Sequence, residues 1–142
     1  MNRKQFIYKT ILGTTGLSMP FNNINLNEKH KKLTILHTND MHSQIFPFKS
    51  GKYKGLGGMA ERASLIKSLR QKTDNVLLLD AGDIFQGTPY FNYFGGELEF
   101  KLMSKMNYDA ATLGNHDFDN GISGLNDKLR YAKFSFINSN YD

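Results

Sequence analysis

The 142-residue sequence contains no cysteine. Disulfide bridges, zinc sites built from thiolates and catalysis by a thiol are therefore excluded for this chain. The sequence also lacks a continuous run of about 20 apolar residues, the length that a membrane-spanning helix requires. No G-x-S-x-G segment occurs, so no serine nucleophile on a strand-to-helix elbow is expected.

The sequence beyond its first 32 residues also lacks net charge. The whole chain carries a formal charge of +5 and has a pI of about 9.4, values that would ordinarily suggest nucleic-acid binding. Six of the 18 basic residues and one of the 13 acidic residues lie in residues 1–32, which leaves twelve of each in residues 33–142. The basic charge belongs to the N-terminal segment, and we expect no nucleic-acid polymer as a partner.

The N-terminal segment begins with basic residues and continues with a mostly apolar stretch up to Met19, interrupted by Lys9. This stretch is too short and too polar for a transmembrane segment, and it fits an export signal better. The run RKQFIYK resembles a twin-arginine signal in which Lys replaces the second Arg. A cytosolic amphipathic helix is the alternative. We predict a protein exported to the periplasm or cell surface of a bacterium, with a twin-arginine-like signal at 1–20, a linker at 21–32 and a folded part at 33–142.

From Leu33 onward, apolar strand patterns alternate with helical patterns. Four predicted strands lie in LTILHTND, NVLLLDAGD, YDAATLGNHD and FSFINSN. Apolar residues recur three or four positions apart between these strands, in residues 58–72, in 97–106 and more weakly in 121–132. The uninterrupted run VLLL indicates a strand buried on both faces, as in a parallel sheet. The series predicts an α/β fold in βαβαβαβ order with a mainly parallel sheet.

Polar side chains follow three of the predicted strands. Asp40 and His42 come after the first strand, Asp83 after the second, and Asn115 and His116 after the third. Carboxyl ends of parallel strands meet at one edge of a sheet, so these side chains are expected to converge. Any one of them alone could instead cap a turn or a helix. Their shared position at three successive strand ends favours a common site.

The donor types in this cluster favour a metal ion. Carboxylate, imidazole and amide oxygen suit hard or borderline divalent cations, whereas a closed structural zinc site would need thiolates. The loop SGKYKGLGG lacks the GK[ST] ending of a phosphate-binding P-loop and is interpreted as a flexible connection. Asp40 and His42 are two residues apart, so in extended backbone both would point to the same side.

The segments DMH, GDIFQG and GNHD, in this order and at these separations, resemble the D-x-H, G-D-x-x and G-N-H-[DE] motifs of the calcineurin-like metallophosphoesterases. The longer strings ILHTNDMHS, LDAGDIFQGTPY and TLGNHDFDNG are similar to the branch that contains 5′-nucleotidases and 2′,3′-cyclic phosphodiesterases. The resemblance covers Leu33 to Asp142. It implies the N-terminal half of an αββα sandwich.

The resemblance implies a role for each motif residue. Asp40 and His42 would bind the first of two divalent metal ions, Asp83 would bridge both ions, and Asn115 would bind the second. The ions could be Mn, Zn, Co, Fe or Mg, and no organic cofactor is implied. His116 would stabilise charge at the scissile phosphate or protonate the leaving oxygen.

A second carboxylate is expected to act on His116. Asp119 lies three residues further along the chain, in a loop that opens a helix, so it can hydrogen-bond the imidazole and favour its charged form. The resemblance likewise implies that Asp119 orients His116. Asp117, in contrast, is expected to point to solvent or to cap the next turn.

The implied reaction is hydrolysis of nucleotides or related phosphate esters by a metal-bound hydroxide, without a phosphoenzyme. The family pattern includes further histidines downstream and, in the nucleotidase branch, a separate domain that binds the nucleoside. Because four ligands are few for two ions, we expect the chain to be the N-terminal part of a longer enzyme and nearly inactive alone. The alternative is a metal- or phosphate-binding fragment without catalysis.

Aromatic residues cluster just after the second motif. They could line a substrate pocket, although aromatic side chains are more often used in packing. The candidates are Phe85, Tyr90, Phe91, Tyr93 and Phe94.

Overall fold

The computed structural model describes residues 32–140. The predicted export signal at 1–20 and the linker up to residue 31 lie outside the described residues and stay predictions. Four strands, four α-helices and one 3₁₀ helix form the described part. In chain order they are β1 (Thr34–Thr38), α1 (Met59–Lys72), β2 (Val76–Asp80), α2 (Pro89–Phe94), α3 (Glu97–Lys105), β3 (Ala110–Ala111), the 3₁₀ helix (Asn115–Phe118), α4 (Gly121–Leu129) and β4 (Ser135–Phe136).

The four strands form one sheet in the order β1-β2-β3-β4, and all three pairings are parallel. Thr38 pairs with Asp80, and Asp80 pairs with Ala111, so the first three strands end at the same level. The predicted α/β class and parallel sheet are confirmed. The register brings the loops after β1, β2 and β3 together at one edge of the sheet.

The prediction that β2 is buried on both faces is wrong. Leu78 is 1 % exposed, whereas Leu77 and Leu79 are only half-buried. Alternate residues of a strand point to opposite faces, and Leu36 and Leu78 share the face that packs on the helices. On β1, the opposite face carries Ile35, which is 57 % exposed. Within the described residues the helices therefore cover one face of the sheet.

The predicted helices correspond to α1, α3 and α4. Helix α1 buries Met59 and Ile66 in the core, as its apolar spacing predicts. Its last turn carries Arg70, which donates to the carbonyl oxygens of Met106 at 2.5 Å and Asn107 at 2.6 Å. These carbonyls follow α3, so Arg70 ties the two helices together and satisfies the end of the second. None of the helices in residues 32–140 has the length and apolar character needed to cross a membrane.

Helix α2 was not predicted. Its six residues are too few for an amphipathic period, but its ends carry sequence signals. Pro89 stands at the start, where a missing N–H is harmless, and Gly95 ends the helix in the left-handed conformation.

Aromatic packing accounts for two of the candidate pocket residues. Phe85 and Phe91 are buried, with ring centroids 5.4 Å apart, and Phe85 also packs on Phe100 at 4.7 Å. A pocket role for Phe85 and Phe91 is therefore wrong, because both rings are enclosed by the core. Tyr93, in contrast, is 84 % exposed.

Candidate metal centre

The loops after β1, β2 and β3 carry the five residues that the sequence analysis assigned to a common site. Asp40 and His42 follow β1, and Asp83 follows β2. Asn115 and His116 open the 3₁₀ helix that follows β3. The predicted placement at the carboxyl ends of parallel strands is confirmed.

Three of these side chains form a compact group. The carboxylates of Asp40 and Asp83 and the imidazole of His42 each offer a ligand atom, and these atoms lie within 4.8 Å of one another. His42 Nε2 lies 3.7 Å from Asp40 Oδ1. Asp40 is exposed and the other two residues are partly exposed, so an ion can reach the group from solvent. Two carboxylates and one imidazole fit a hard or borderline divalent cation.

The backbone that presents these side chains is left-handed, so the expectation of extended backbone at Asp40 and His42 is wrong. The φ angles are 50° at Asp40, 45° at His42 and 53° at Asp83. Hydrogen bonds between the two loops hold this conformation. The amides of Asp40, His42 and Ser43 donate to the carbonyl oxygens of residues 82, 83 and 84 at 3.0–3.1 Å. The loops therefore continue the parallel pairing of β1 and β2 beyond the strands.

The third loop contacts the second through Asp83. The N–H of His116 donates to Asp83 Oδ1 at 3.0 Å. Asn115 is exposed and lies one residue before this contact. A Cβ added to Gly82 would approach the nitrogen of Gly114 to 2.6 Å, so the two loops touch where neither residue has a side chain.

His116 lies beside the group of three. Its ring and that of His42 are in edge contact, with centroids 5.3 Å apart. His116 Nδ1 is 3.0 Å from Asp119 Oδ2, which is the contact expected from their spacing. The Asp119 carboxylate raises the pKa of His116 above its ordinary value, because the hydrogen bond and the negative charge stabilise the imidazolium.

Asp117 occupies a different place from the one predicted. Its side chain neither points to solvent nor caps the next turn, since the residue is only 1 % exposed. The carboxylate accepts hydrogen bonds from four backbone N–H groups, which belong to Asp83, Ile84, Phe85 and Gly114. Burial raises the pKa of the Asp117 carboxyl, and N–H donors oppose that shift because they favour the anion. Three of the donors lie more than 30 residues earlier in the chain, so local sequence gives no sign of this role.

Asp80 is a second buried carboxyl that the sequence analysis did not single out. It ends β2, is 4 % exposed, and accepts hydrogen bonds from Thr38 Oγ1 at 2.5 Å and the N–H of Gly82 at 2.9 Å. Burial raises the pKa of Asp80 to about 6, although both hydrogen bonds act in the opposite direction. An acidic residue closing the apolar run VLLL was the available signal.

Comparison with known proteins identifies relatives. Residues 33–141 match the model of the calcineurin-like phosphoesterase family. A snake venom 5′-nucleotidase from Crotalus adamanteus is 50 % identical over 115 residues, and the 5′-nucleotidase of Homo sapiens is 41 % identical over 116. Each match covers 77 % of this chain and 20 % of the relative.

Solved structures agree with these matches. The NAD nucleotidase of Haemophilus influenzae superposes with a TM-score of 0.70 at 36 % identity, covering 76 % of this chain and 20 % of the other. A 5′-nucleotidase precursor from Thermus thermophilus gives a TM-score of 0.70 at 41 % identity, covering 78 % of this chain and 22 % of the other. The chain thus spans about a fifth of the length of these relatives. It belongs to the calcineurin-like phosphoesterase family.

Proposed function

We propose that the protein is a metal-dependent phosphoric ester hydrolase acting on nucleotides or related phosphate esters through a dinuclear metal centre. The observation that carries the proposal is the group formed by Asp40, His42 and Asp83, with His116 beside it. The family match supports the reaction class. The relatives described as 5′-nucleotidases and as an NAD nucleotidase support a nucleotide substrate.

In this proposal the three loops share the metal ligands. Asp40 and His42 would hold the first ion, Asp83 would be shared by both ions, and Asn115 would hold the second. Bound divalent ions would supply the nucleophile and share the charge of the phosphoryl oxygens. Four protein ligands leave positions on both ions for water or for further protein ligands.

His116 has the catalytic role in the proposal, with Asp119 holding its ring. The edge contact between its ring and that of His42 supports a position for the imidazole next to the proposed ligands. The hydrogen bond from Nδ1 to Asp119 fixes the ring and favours the charged form. A charged imidazole can stabilise the phosphoryl group in the transition state or give a proton to the leaving oxygen.

We also propose that the domain begins at residue 33, after an export signal at 1–20 and a linker at 21–32, and that the protein acts outside the cytoplasm. The apolar character of the leader supports export. The venom relative, by its description, and the relative described as a precursor agree with this location.

The test uses the purified 142-residue chain in excess Mn²⁺ or Co²⁺, with a nucleoside 5′-monophosphate and a generic phosphate monoester as substrates. Mn²⁺ binding and hydrolysis are measured on the wild-type chain, on Asp83→Ala and on His116→Ala. Asp127→Ala is the control, because Asp127 is an exposed carboxylate on α4 and is not one of the proposed ligands.

Asp83→Ala is expected to weaken Mn²⁺ binding. His116→Ala should bind Mn²⁺ normally and lose the low hydrolysis expected of the isolated chain, by about 10²–10⁴-fold or to the detection limit. Mn²⁺ binding that is insensitive to Asp83→Ala would contradict the proposed centre. Binding that depends on Asp83 without any hydrolysis would favour the alternative, a metal-binding chain without catalysis of its own.

A further inference from the structure

The carboxylate of Asp117 uses both of its oxygens as backbone acceptors. Oδ1 accepts the N–H of Ile84 at 2.9 Å and of Phe85 at 3.0 Å. Oδ2 accepts the N–H of Asp83 at 3.1 Å and of Gly114 at 2.8 Å. We call these four hydrogen bonds the Asp117 anchor. A carboxylate has about four lone-pair positions, so the anchor takes up its full acceptor capacity.

The anchor joins the second loop to the third. Asp83, Ile84 and Phe85 present successive N–H groups to a single side chain, an arrangement of backbone donors that suits an anion. The fourth donor, Gly114, lies in the same loop as Asp117. Asp117 therefore holds both the backbone of the residue proposed to bridge two metal ions and the start of the 3₁₀ helix.

A second contact runs in the opposite direction. Asp83 Oδ1 accepts the N–H of His116 at 3.0 Å, so each loop supplies a carboxylate to the backbone of the other. Glycines make the approach close enough, because a Cβ on Gly114 would lie 2.6 Å from the nitrogen of Asp83. Asp83 is thus held through its backbone N–H and through its side chain, and both contacts help to fix its left-handed φ of 53°.

We propose that Asp117 is a positioning residue of the metal centre, which sets the placement of Asp83 relative to His42 and His116 through the Asp117 anchor. The expected effect on metal affinity rests on the proposed function. The hydrogen bonds of the Asp117 anchor do not depend on it. Groups that hold metal ligands in place typically change metal affinity by about 10- to 100-fold when they are removed.

Three variants test this role. Asp117→Asn keeps the shape but replaces one acceptor oxygen with an amide donor, so two of the four N–H groups face a donor. Asp117→Glu restores two acceptor oxygens and the negative charge. Met103→Ala is a control for stability alone, because Met103 is fully buried on α3 and has no part in the three loops.

Two measurements are made at a temperature at which every variant is folded. Amide hydrogen exchange of residues 83–85 and 114 reports the anchor with or without metal, and titration with Mn²⁺ reports affinity. Asp117→Asn should speed exchange at these amides selectively and weaken Mn²⁺ binding about tenfold or more. Asp117→Glu should recover most of both properties. Met103→Ala should keep the wild-type affinity for Mn²⁺.

The outcomes separate this inference from the proposed function. Unchanged exchange at the four amides in Asp117→Asn overturns the inference. If the wild-type chain binds Mn²⁺, an Mn²⁺ affinity in Asp117→Asn equal to that of the wild type overturns it as well. Equal weakening in Met103→Ala also overturns it, because stability alone would then account for the effect. If the wild-type chain binds no Mn²⁺, the proposed function fails and the positioning of metal ligands falls with it, even where exchange supports the anchor.

Discussion

Left-handed backbone is concentrated at the candidate metal centre. Seven non-glycine residues in the described part of the chain have positive φ, and five of them lie in the loops after β1 and β2. Such conformations cost on the order of 1–3 kcal/mol each and persist only where surrounding contacts fix them. Here the contacts are the hydrogen bonds between the two loops and the Asp117 anchor. The residues that present ligand atoms are therefore held by backbone contacts rather than by their own preferences.

The raised pKa of the buried Asp80 carboxyl predicts that the stability of the fold depends on pH. Its pKa is raised from 3.8 to about 6 by burial, so between these pH values the folded carboxyl holds a proton that the unfolded one releases. The stability that protonated Asp80 contributes to the folded state is fully present below pH 4. It is lost as pH rises through 6, when the buried carboxyl ionises. The corresponding loss is on the order of 3 kcal/mol at most.

Asp80→Asn removes this titration. The amide can still accept from Gly82 and donate to the Thr38 hydroxyl, so the fold should persist. Measured relative to the wild-type chain, the free energy of unfolding of Asp80→Asn should be higher at pH 7.5 than at pH 4.5 by about 1–3 kcal/mol. Urea unfolding at the two pH values measures the difference, with the exposed Asp127→Asn as control. An equal difference at both pH values would mean that Asp80 ionises in its ordinary range.

Among the elements, those with clear periodicity could be predicted from the sequence. Helix α1 buries Met59 and Ile66 at the predicted spacing although Leu65 is exposed, and β2 carries the continuous apolar run VLLL. Helix α2 and the 3₁₀ helix have six and four residues, which is too short for a period to emerge. The strand-end positions of the site could be predicted because they depend only on topology. The contacts of Asp117 could not, because they depend on loop conformations that two distant segments impose on each other.

The close approach of two loops leads to a second prediction. Gly114 has a φ of −95°, so alanine is conformationally acceptable there, but its Cβ would meet Asp83 Oδ1 and the Asp83 nitrogen. Gly114→Ala should push the second and third loops apart, reduce stability by about 1–3 kcal/mol and weaken Mn²⁺ binding.

Gly51→Ala provides the contrasting variant. Gly51 has open space around it but a φ of 77°, so alanine adds conformational strain of about 1–2 kcal/mol without any clash. Thermal unfolding and Mn²⁺ titration of both variants separate the two effects. Similar Mn²⁺ affinity in Gly114→Ala and Gly51→Ala would contradict the idea that loop contact shapes the metal centre.

For the whole molecule, the proposed metal centre depends on formation of the sheet. Its proposed ligands come from loops that follow three different strands, and parallel pairing of β1, β2 and β3 is what brings them together. An unfolded chain has no such arrangement, so a divalent ion should bind the folded state preferentially. Metal binding and folding are then thermodynamically linked.

This linkage predicts that Mn²⁺ stabilises the wild-type chain. At a free concentration 100 times the dissociation constant, stabilisation should be about 2.7 kcal/mol, equivalent to a rise in Tm of roughly 10 °C for a domain of this size. Asp83→Ala changes the starting stability as well, because it removes the acceptor for the His116 N–H. The informative quantity is therefore the increment that Mn²⁺ adds to each variant. Thermal unfolding with and without Mn²⁺ should show the full increment in Asp127→Ala and little in Asp83→Ala. An equal increment in both would mean that Mn²⁺ binds elsewhere on the molecule.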